Sequence, residues 1–214
     1  MKQRKITTFI LIILTLAGAA AGAQNLEWTM QAHPTEIYRL APDIGEYTDQ
    51  GFVPFGIGAV NSNLVTFFLR GQGVYSELWQ LKWYHSSEEI EAGINEEIAA
   101  GFVPFGIEST GYGFFIYYIK SGWKTKNWSF VESPANKDGI VNALTRYLAK
   151  GFLPVGITRV DNKYWTLVTS YDKAVVDSVG VETYGLDSAD LQSAVNAVIR
   201  QGYLPYGIMV DEED

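Results

Sequence analysis

GFVPFGI at residues 51–57 is repeated letter for letter at residues 101–107, and the variants GFLPVGI and GYLPYGI follow at residues 151–157 and 202–208. The glycines that open these four phrases are spaced by 50, 50 and 51 residues. A period in this range is typical of tandem supersecondary units. The sequence therefore predicts four repeats, at about residues 25–75, 76–125, 126–175 and 176–214.

An amphipathic helix is predicted before each phrase. Apolar residues stand eleven and seven positions before each opening glycine, which places them on one helix face; they are Leu40 and Ile44, Ile90 and Ile94, Ile140 and Leu144, and Leu191 and Val195. Polar side chains that can cap the later helices are Ser86, Asn136 or Asp138, and Asp187. In the first repeat, Pro42 and Gly45 are expected to shorten the helix.

The phrases themselves predict structural corners. The opening glycine suits the left-handed position that ends a helix, the proline suits the start or the edge of a strand, and the second glycine suits a bulge or a close backbone approach. The motif residues are Gly51, Phe52, Pro54 and Gly56; Gly101, Phe102, Pro104 and Gly106; Gly151, Phe152, Pro154 and Gly156; and Gly202, Tyr203, Pro205 and Gly207.

Strands flank each helix. Segments that alternate in polarity begin near Leu26, Leu78, Asn127 and Val179, and aromatic segments that are apolar on both faces begin at Leu64, Phe114 and Tyr164. The predicted fold class is α+β: strand–helix–strand–strand repeats whose strands pair as a meander in a mixed β-sheet, with one helix per repeat. An open sheet or solenoid and a closed, propeller-like ring remain alternatives.

This unit order, with its G-[FY]-x-P-x-G-I corner, resembles the bacterial tandem repeats of about 50 residues that occur in exported proteins and beside the peptidase domain of fungal polyglycine hydrolases. The resemblance covers about residues 25–210 and depends mainly on Gly51, Phe52, Pro54 and their equivalents. It implies an accessory or binding module, and it carries no catalytic residue over to this chain.

The first 23 residues have the pattern of a secretory signal peptide. Lys2, Arg4 and Lys5 precede an apolar run from Ile6 to Leu16, and small residues around Ala23 follow. A single domain at residues 24–214, periplasmic or secreted and without membrane insertion after cleavage, is predicted. Cleavage would change the net charge from −8 to −11, which disfavours nucleic acid as a partner.

Catalytic and cofactor motifs are sparse. The chain has no cysteine and two histidines, His33 and His85, and the phrases lack the spacing of a phosphate-binding loop. No cofactor and no metal site are predicted, and the histidines are interpreted as solvated loop residues. The acid pairs Glu88 with Glu89 and Glu96 with Glu97, and the tail at residues 211–214, are interpreted as a helix start, a solvent-facing helix surface and a solubilising end.

Aromatic residues provide the predicted ligand-binding site. Tyr75, Trp123 and Tyr171 occupy the loops that follow the aromatic strands, and a row of such rings can stack on sugars or grip peptide side chains. The other tryptophans of the strands are interpreted as packing residues. The leading hypothesis is a non-enzymatic exported module that binds a protein or glycan at the cell envelope.

Two alternatives come from other functional classes. A hydrolase acting on a cell-wall or peptide substrate would use the rim near His33, His85 and Asp161. A structural spacer or assembly subunit would need no ligand site. The sequence leaves the oligomeric state open.

Overall fold

The structure is a computed structural model, and it describes residues 7–16, 26–34, 37–60, 63–71, 78–110, 113–120, 122–171, 176–185 and 188–212. In chain order the elements are β1 (Thr7–Leu16), β2 (Glu27–Pro34), α1 (Ile37–Thr48), β3 (Val53–Val60), β4 (Asn63–Arg70), β5 (Leu78–Tyr84), α2 (Ser87–Ala99), β6 (Val103–Thr110), β7 (Gly113–Lys120), β8 (Thr125–Pro134), α3 (Lys137–Leu148), β9 (Phe152–Val160), β10 (Lys163–Tyr171), β11 (Val176–Gly185), α4 (Ser188–Arg200) and β12 (Leu204–Glu212).

The strands of the described residues form four three-stranded sheets, in the orders β2–β4–β3, β5–β7–β6, β8–β10–β9 and β11–β1–β12. Every neighbouring pair is antiparallel. The two edge strands of a sheet therefore point the same way, and the helix between them is a crossover. The α+β class is confirmed, but the predicted mixed sheet is wrong, because a central antiparallel strand separates the two edge strands.

The aromatic segments are the central strands of three sheets. Most side chains of β4, β7 and β10 are buried, as predicted for strands that are covered on both faces. The predicted meander of consecutive strands is wrong at one connection: β4 leads to β5, which belongs to a different sheet. β4 pairs instead with β2, because the α1 crossover places β2 and β3 on its two sides.

The helix faces are where the sequence predicts them. All eight apolar residues at the two repeated helix positions are buried, with at most 2% of their surface exposed. The Ser86 hydroxyl accepts a hydrogen bond from the Glu89 backbone N–H (3.3 Å), and Asn136 Oδ1 accepts one from the Gly139 N–H (2.7 Å). These two caps confirm the predicted starts of α2 and α3.

The opening glycines end the helices. Gly51, Gly101, Gly151 and Gly202 have φ values of 83°, 87°, 80° and 88°, in the left-handed region that a side chain disfavours. At the end of α2, the N–H of Gly101 donates to the Ile98 carbonyl and the N–H of Phe102 to the Glu97 carbonyl. This pair of bonds is a Schellman motif, and it confirms the predicted helix stop.

The second glycines lie at bulges where neighbouring sheets come close together. The pairing register shifts between Pro54 and Gly56 in β3 and between Pro104 and Ile107 in β6. A Cβ added to Gly156 would lie 2.6 Å from the Ile107 nitrogen and 2.8 Å from the Gly106 Cα. Both predicted roles, bulge and close approach, are therefore confirmed.

The first helix is not shortened. α1 continues through Pro42 for 12 residues, whereas Pro42 and Gly45 were expected to shorten it. Leu40 and Ile44 on its inner face are 1% and 0% exposed. Burial of this face offsets the hydrogen bond that Pro42 cannot donate.

The strands that follow the helices pack against one another. β3 contacts β6, β6 contacts β9, β9 contacts β12, and β12 contacts β3. The backbone N–H of Ser109 in β6 donates to the Thr158 hydroxyl of β9 (2.7 Å). Phe55 of β3 and Phe105 of β6 pack with their ring centroids 4.8 Å apart, and both rings belong to a core that the first three sheets share with α2 and α4.

β1 forms from residues that also carry the signal-peptide pattern. It lies between β11 and β12 in the fourth sheet, in the central position that β4, β7 and β10 occupy in the other three. Within the described ranges, none of the helices has both the length and the hydropathy needed to cross a membrane.

Candidate functional site: an aromatic and acidic cleft

A cleft of about 320 Å³ lies between the start of α2 and the face of the third sheet. It is lined on one side by residues from the first turns of α2 and on the other by residues of β8 and β10. These residues are Ser87, Glu88 and Glu91, and Trp128, Phe130, Glu132 and Trp165, and we call this site the α2–β8 cleft.

Local sequence features place each lining residue. Ser86 caps α2 by accepting a hydrogen bond from the Glu89 N–H, and the Glu89 carboxylate accepts one from the His85 backbone N–H (2.8 Å), so these two bonds fix the helix start. On the sheet, Trp128, Phe130 and Glu132 share one face of β8 because strand side chains alternate with a period of two. Trp165 of β10 is the register partner of Glu132.

The floor of the cleft is a row of three half-buried aromatic rings. The Trp128 and Phe130 ring centroids are 5.6 Å apart, and so are those of Phe130 and Trp165. Trp165 also stacks on Phe114 at 6.2 Å, and the Trp128 Nε1–H donates to Asn95 Oδ1 of α2 (2.8 Å). The rings therefore have fixed positions and still reach the solvent.

Three exposed carboxylates border the rings. A hydrogen bond from its own backbone N–H, followed by one from the Ser86 hydroxyl, lowers the pKa of Glu88, so this group is ionised at neutral pH. Glu91 lies one turn further along α2, and Glu132 forms an ion pair with Lys163 at the opposite side. The cleft thus combines aromatic faces with negative charge.

Among the first three sheets, this combination occurs in the third. The residue pair that corresponds to Glu132 and Trp165 is Ala32 with Val65 in the first sheet and Trp83 with Phe115 in the second. The sequence interpretation treated Trp128 and Trp165 as packing residues and missed the cleft. The sequence does indicate the cleft's sheet side, because Trp128, Phe130 and Glu132 alternate along one strand. That alternation does not show that α2 lies opposite them.

Two of the three predicted ligand-binding residues are brought together elsewhere. Trp123 and Tyr171 pack edge to face at 5.0 Å, and Trp123 also contacts Phe105 at 6.3 Å. Tyr171 is only 8% exposed, and burial raises the pKa of its hydroxyl. A ligand approaching this pair would meet Trp123 first, while Tyr75 lies outside the described residues.

The two histidines have different environments. His85 is exposed, and its ring lies 4.1 Å from that of Trp83. His33 is 3% exposed in β2, where its Nδ1 lies 3.5 Å from an Asp43 carboxylate oxygen. The interpretation of His33 as a solvated loop residue is therefore wrong, because the strand extends through it and packs it beside Phe68.

Burial makes His33 a source of pH-dependent stability. Burial lowers the pKa of His33 below 6.5, and the hydrogen bond and charge of Asp43 oppose this shift. Between the lowered pKa and pH 6.5 the unfolded chain binds more protons than the folded chain. The stability that neutral His33 contributes is therefore fully present above pH 6.5 and is lost as the pH falls towards the lowered pKa.

We expect His33→Gln to show a smaller decrease in Tm between pH 7.5 and pH 5 than the wild type. The exposed His85→Gln variant is the control, and an unchanged slope in His33→Gln would contradict the prediction.

One of the two acid pairs differs from its predicted role. Glu88 and Glu89 do lie in the first turn of α2. Glu97 was expected on a solvent face but is 8% exposed, because its carboxylate contacts Lys82 Nζ (3.1 Å) and accepts a hydrogen bond from Gln80. Among the residues that the structure describes, no group of three acidic or histidine side chains is placed to hold a metal ion.

In comparisons with known proteins, no family model matches the chain, and no curated protein or solved structure matches it significantly. The resemblance to bacterial tandem repeats therefore stays a prediction. The class that the fold and the site define is an α+β protein with an aromatic and acidic surface cleft.

Proposed function

We propose that this chain is a non-enzymatic, exported binding module that captures a basic side chain of a protein partner in the α2–β8 cleft. The observation that carries the proposal is the row of Trp128, Phe130 and Trp165 bordered by the carboxylates of Glu88, Glu91 and Glu132. The signal-peptide pattern of residues 1–23 supports export to the cell envelope.

A cation complements both parts of this surface. Arginine and lysine are attracted to the face of a tryptophan ring, and the attraction is stronger where water is partly excluded. The Glu88 and Glu91 carboxylates add Coulomb attraction and accept hydrogen bonds from a guanidinium group, whereas Glu132 already pairs with Lys163. The chain's net charge of −8, which becomes −11 on cleavage of residues 1–23, also favours encounter with a basic partner.

We also propose that the four repeats form a closed ring. The contacts of β3, β6, β9 and β12 form a cycle. Trp28 of the first sheet donates to Asn196 of α4 (2.8 Å), just as Trp128 of the third sheet donates to Asn95 of α2 (2.8 Å). The same contact thus joins the first sheet to the last helix, which favours a ring over an open array.

Binding of an oligoarginine peptide by the purified exported protein tests the function. Its citrulline counterpart is the neutral control, because citrulline keeps the shape of arginine and lacks its charge. We expect the oligoarginine peptide to bind more tightly, with an affinity that falls as salt is added.

Substitutions in the cleft should locate the site. We expect Trp165→Ala to weaken peptide binding by roughly 30-fold or more, as for a central aromatic anchor. Trp165→Phe should retain most of the affinity, and Glu91→Gln should weaken binding and reduce its salt dependence. Circular dichroism and Tm establish that each variant is folded.

Trp123→Ala is the matched control from the other aromatic surface. Loss of binding in Trp123→Ala but not in Trp165→Ala would move the site to the Trp123 and Tyr171 pair. A folded protein whose Tm rises with oligosaccharides and not with the basic peptide would replace the protein partner by a glycan.

A further inference from the structure

The fourth sheet takes its central strand from the opposite end of the chain. β1 pairs with β11 along residues 8–16 and with β12 along residues 7–14. β11 and β12 are not neighbours in the sheet order. β11 and β12 therefore belong to one sheet only because β1 is hydrogen-bonded to both of them.

The other three sheets are completed locally. In each of them the strand after the helix turns directly into the central strand, as in the hairpins from β3 to β4, β6 to β7 and β9 to β10. β1 pairs with β12 in the same way as the central strands β4, β7 and β10 pair with the strands that follow the helices. Its register with β12 shifts opposite Pro205 and Gly207. The equivalent shift lies between Pro54 and Gly56 in the first sheet. The space between β11 and β12 thus accepts a strand that no hairpin supplies.

We propose that the space between β11 and β12 is an acceptor site for an apolar β-strand supplied by a partner protein after residues 1–23 are cleaved. This inference rests on the signal-peptide prediction, and it is independent of the α2–β8 cleft. Removal of β1 would leave two strand edges about 9–10 Å apart, which is the width that one inserted strand fills. Both edges would carry unpaired N–H and C=O groups, which an added strand satisfies.

The segment seated there defines the chemistry of the occupant. TTFILIILTL at residues 7–16 contains no charged residue, no proline and no glycine, and it is rich in β-branched side chains. Such residues favour a strand whose two faces are both covered. The partner segment is therefore an extended apolar peptide of similar length that runs antiparallel to both β11 and β12.

The test begins with the exported protein itself. The full-length chain is expressed with export, and intact mass identifies its first residue. The probe is a synthetic peptide with the sequence of residues 7–16, extended by lysines for solubility. Hydrogen exchange is then followed at residues 176–185 and 204–212, with residues 113–120 as the internal control.

We expect an exported protein that begins at Gln24, in which the probe slows exchange of β11 and β12 by about tenfold or more and leaves β7 unchanged. A probe with Leu11→Pro should have no effect, because proline cannot donate to the ladder, whereas Leu11→Val should act like the parent peptide. If the exported protein aggregates alone, prevention of aggregation by the parent probe and not by its proline variant supports the proposal.

Three results would overturn it. An exported protein that still contains residues 7–16 would make β1 a permanent strand of its own chain. Slow exchange in β11 and β12 without any probe would mean that the sheet closes by itself or is filled by a second copy. Equal protection by the parent and proline peptides would indicate adsorption of an apolar peptide.

Discussion

Replacing Phe105 by alanine is expected to lower the free energy of unfolding by about 3–5 kcal/mol, the usual cost of removing a buried aromatic ring. Phe105 is 2% exposed and lies beside Phe55, with the ring of Trp123 at 6.3 Å. Phe55 belongs to β3 and Trp123 precedes β8, so these two neighbours come from chain segments other than β6 and cannot close the cavity unless the strands move. Chemical denaturation of the purified protein measures the effect.

Two variants control for the size and the site of this change. Phe105→Leu fills most of the space and should cost no more than about 1.5 kcal/mol. Phe102→Ala removes the same side chain from the same phrase, but Phe102 is only half-buried, so its effect should be smaller. Equal destabilisation by Phe102→Ala and Phe105→Ala would contradict the packing of Phe105 in the core that the first three sheets share.

The Gly156→Ala variant is expected to lose about 2–3 kcal/mol of stability, as an overpacked core does. The added Cβ would meet backbone atoms of Gly106 and Ile107 at 2.6–2.9 Å. Backbone atoms cannot rotate away as the end of a side chain can, so β6 and β9 must separate. The corresponding decrease in Tm is roughly 4–12 °C, measured by thermal unfolding.

Substitutions at two other glycines distinguish destabilisation by a steric clash from destabilisation by backbone strain. Gly151 has open space around it but a φ of 80°, so Gly151→Ala should cost only about 1–2 kcal/mol. Gly45 lies inside α1 with nothing near its Cβ position, and Gly45→Ala should stabilise the protein by roughly 0.5–1 kcal/mol. A Gly156→Ala protein as stable as the wild type would show that the sheets do not meet at this glycine.

The repeated phrase predicted most of the local structure. The helix stops and the left-handed glycines follow from interactions between residues a few positions apart, such as Glu97 with Phe102. The prediction that Pro42 shortens α1 was wrong because it weighed one local hydrogen bond without the burial of Leu40 and Ile44. Local rules fail where packing from other segments outweighs them.

The candidate site was much less predictable. Trp128 and Trp165 were recognised only as strand residues, and their exposure depends on how closely α2 approaches the third sheet. Glu97 and His33 are buried and have charge partners that the sequence does not single out, Lys82 and Asp43. Each contact joins residues from separate elements, so no periodicity reveals it.

The sequence by itself determined the four spaced phrases, the apolar face of each helix and the positions where the backbone needs glycine, because these depend on short-range sterics and hydrogen bonds. Only the tertiary structure decided that β4 pairs with β2, that α2 covers part of the third sheet to form an aromatic and acidic cleft, and that residues 7–16 fill the fourth sheet. These features depend on which distant surfaces meet, and that choice is set by packing of the whole chain.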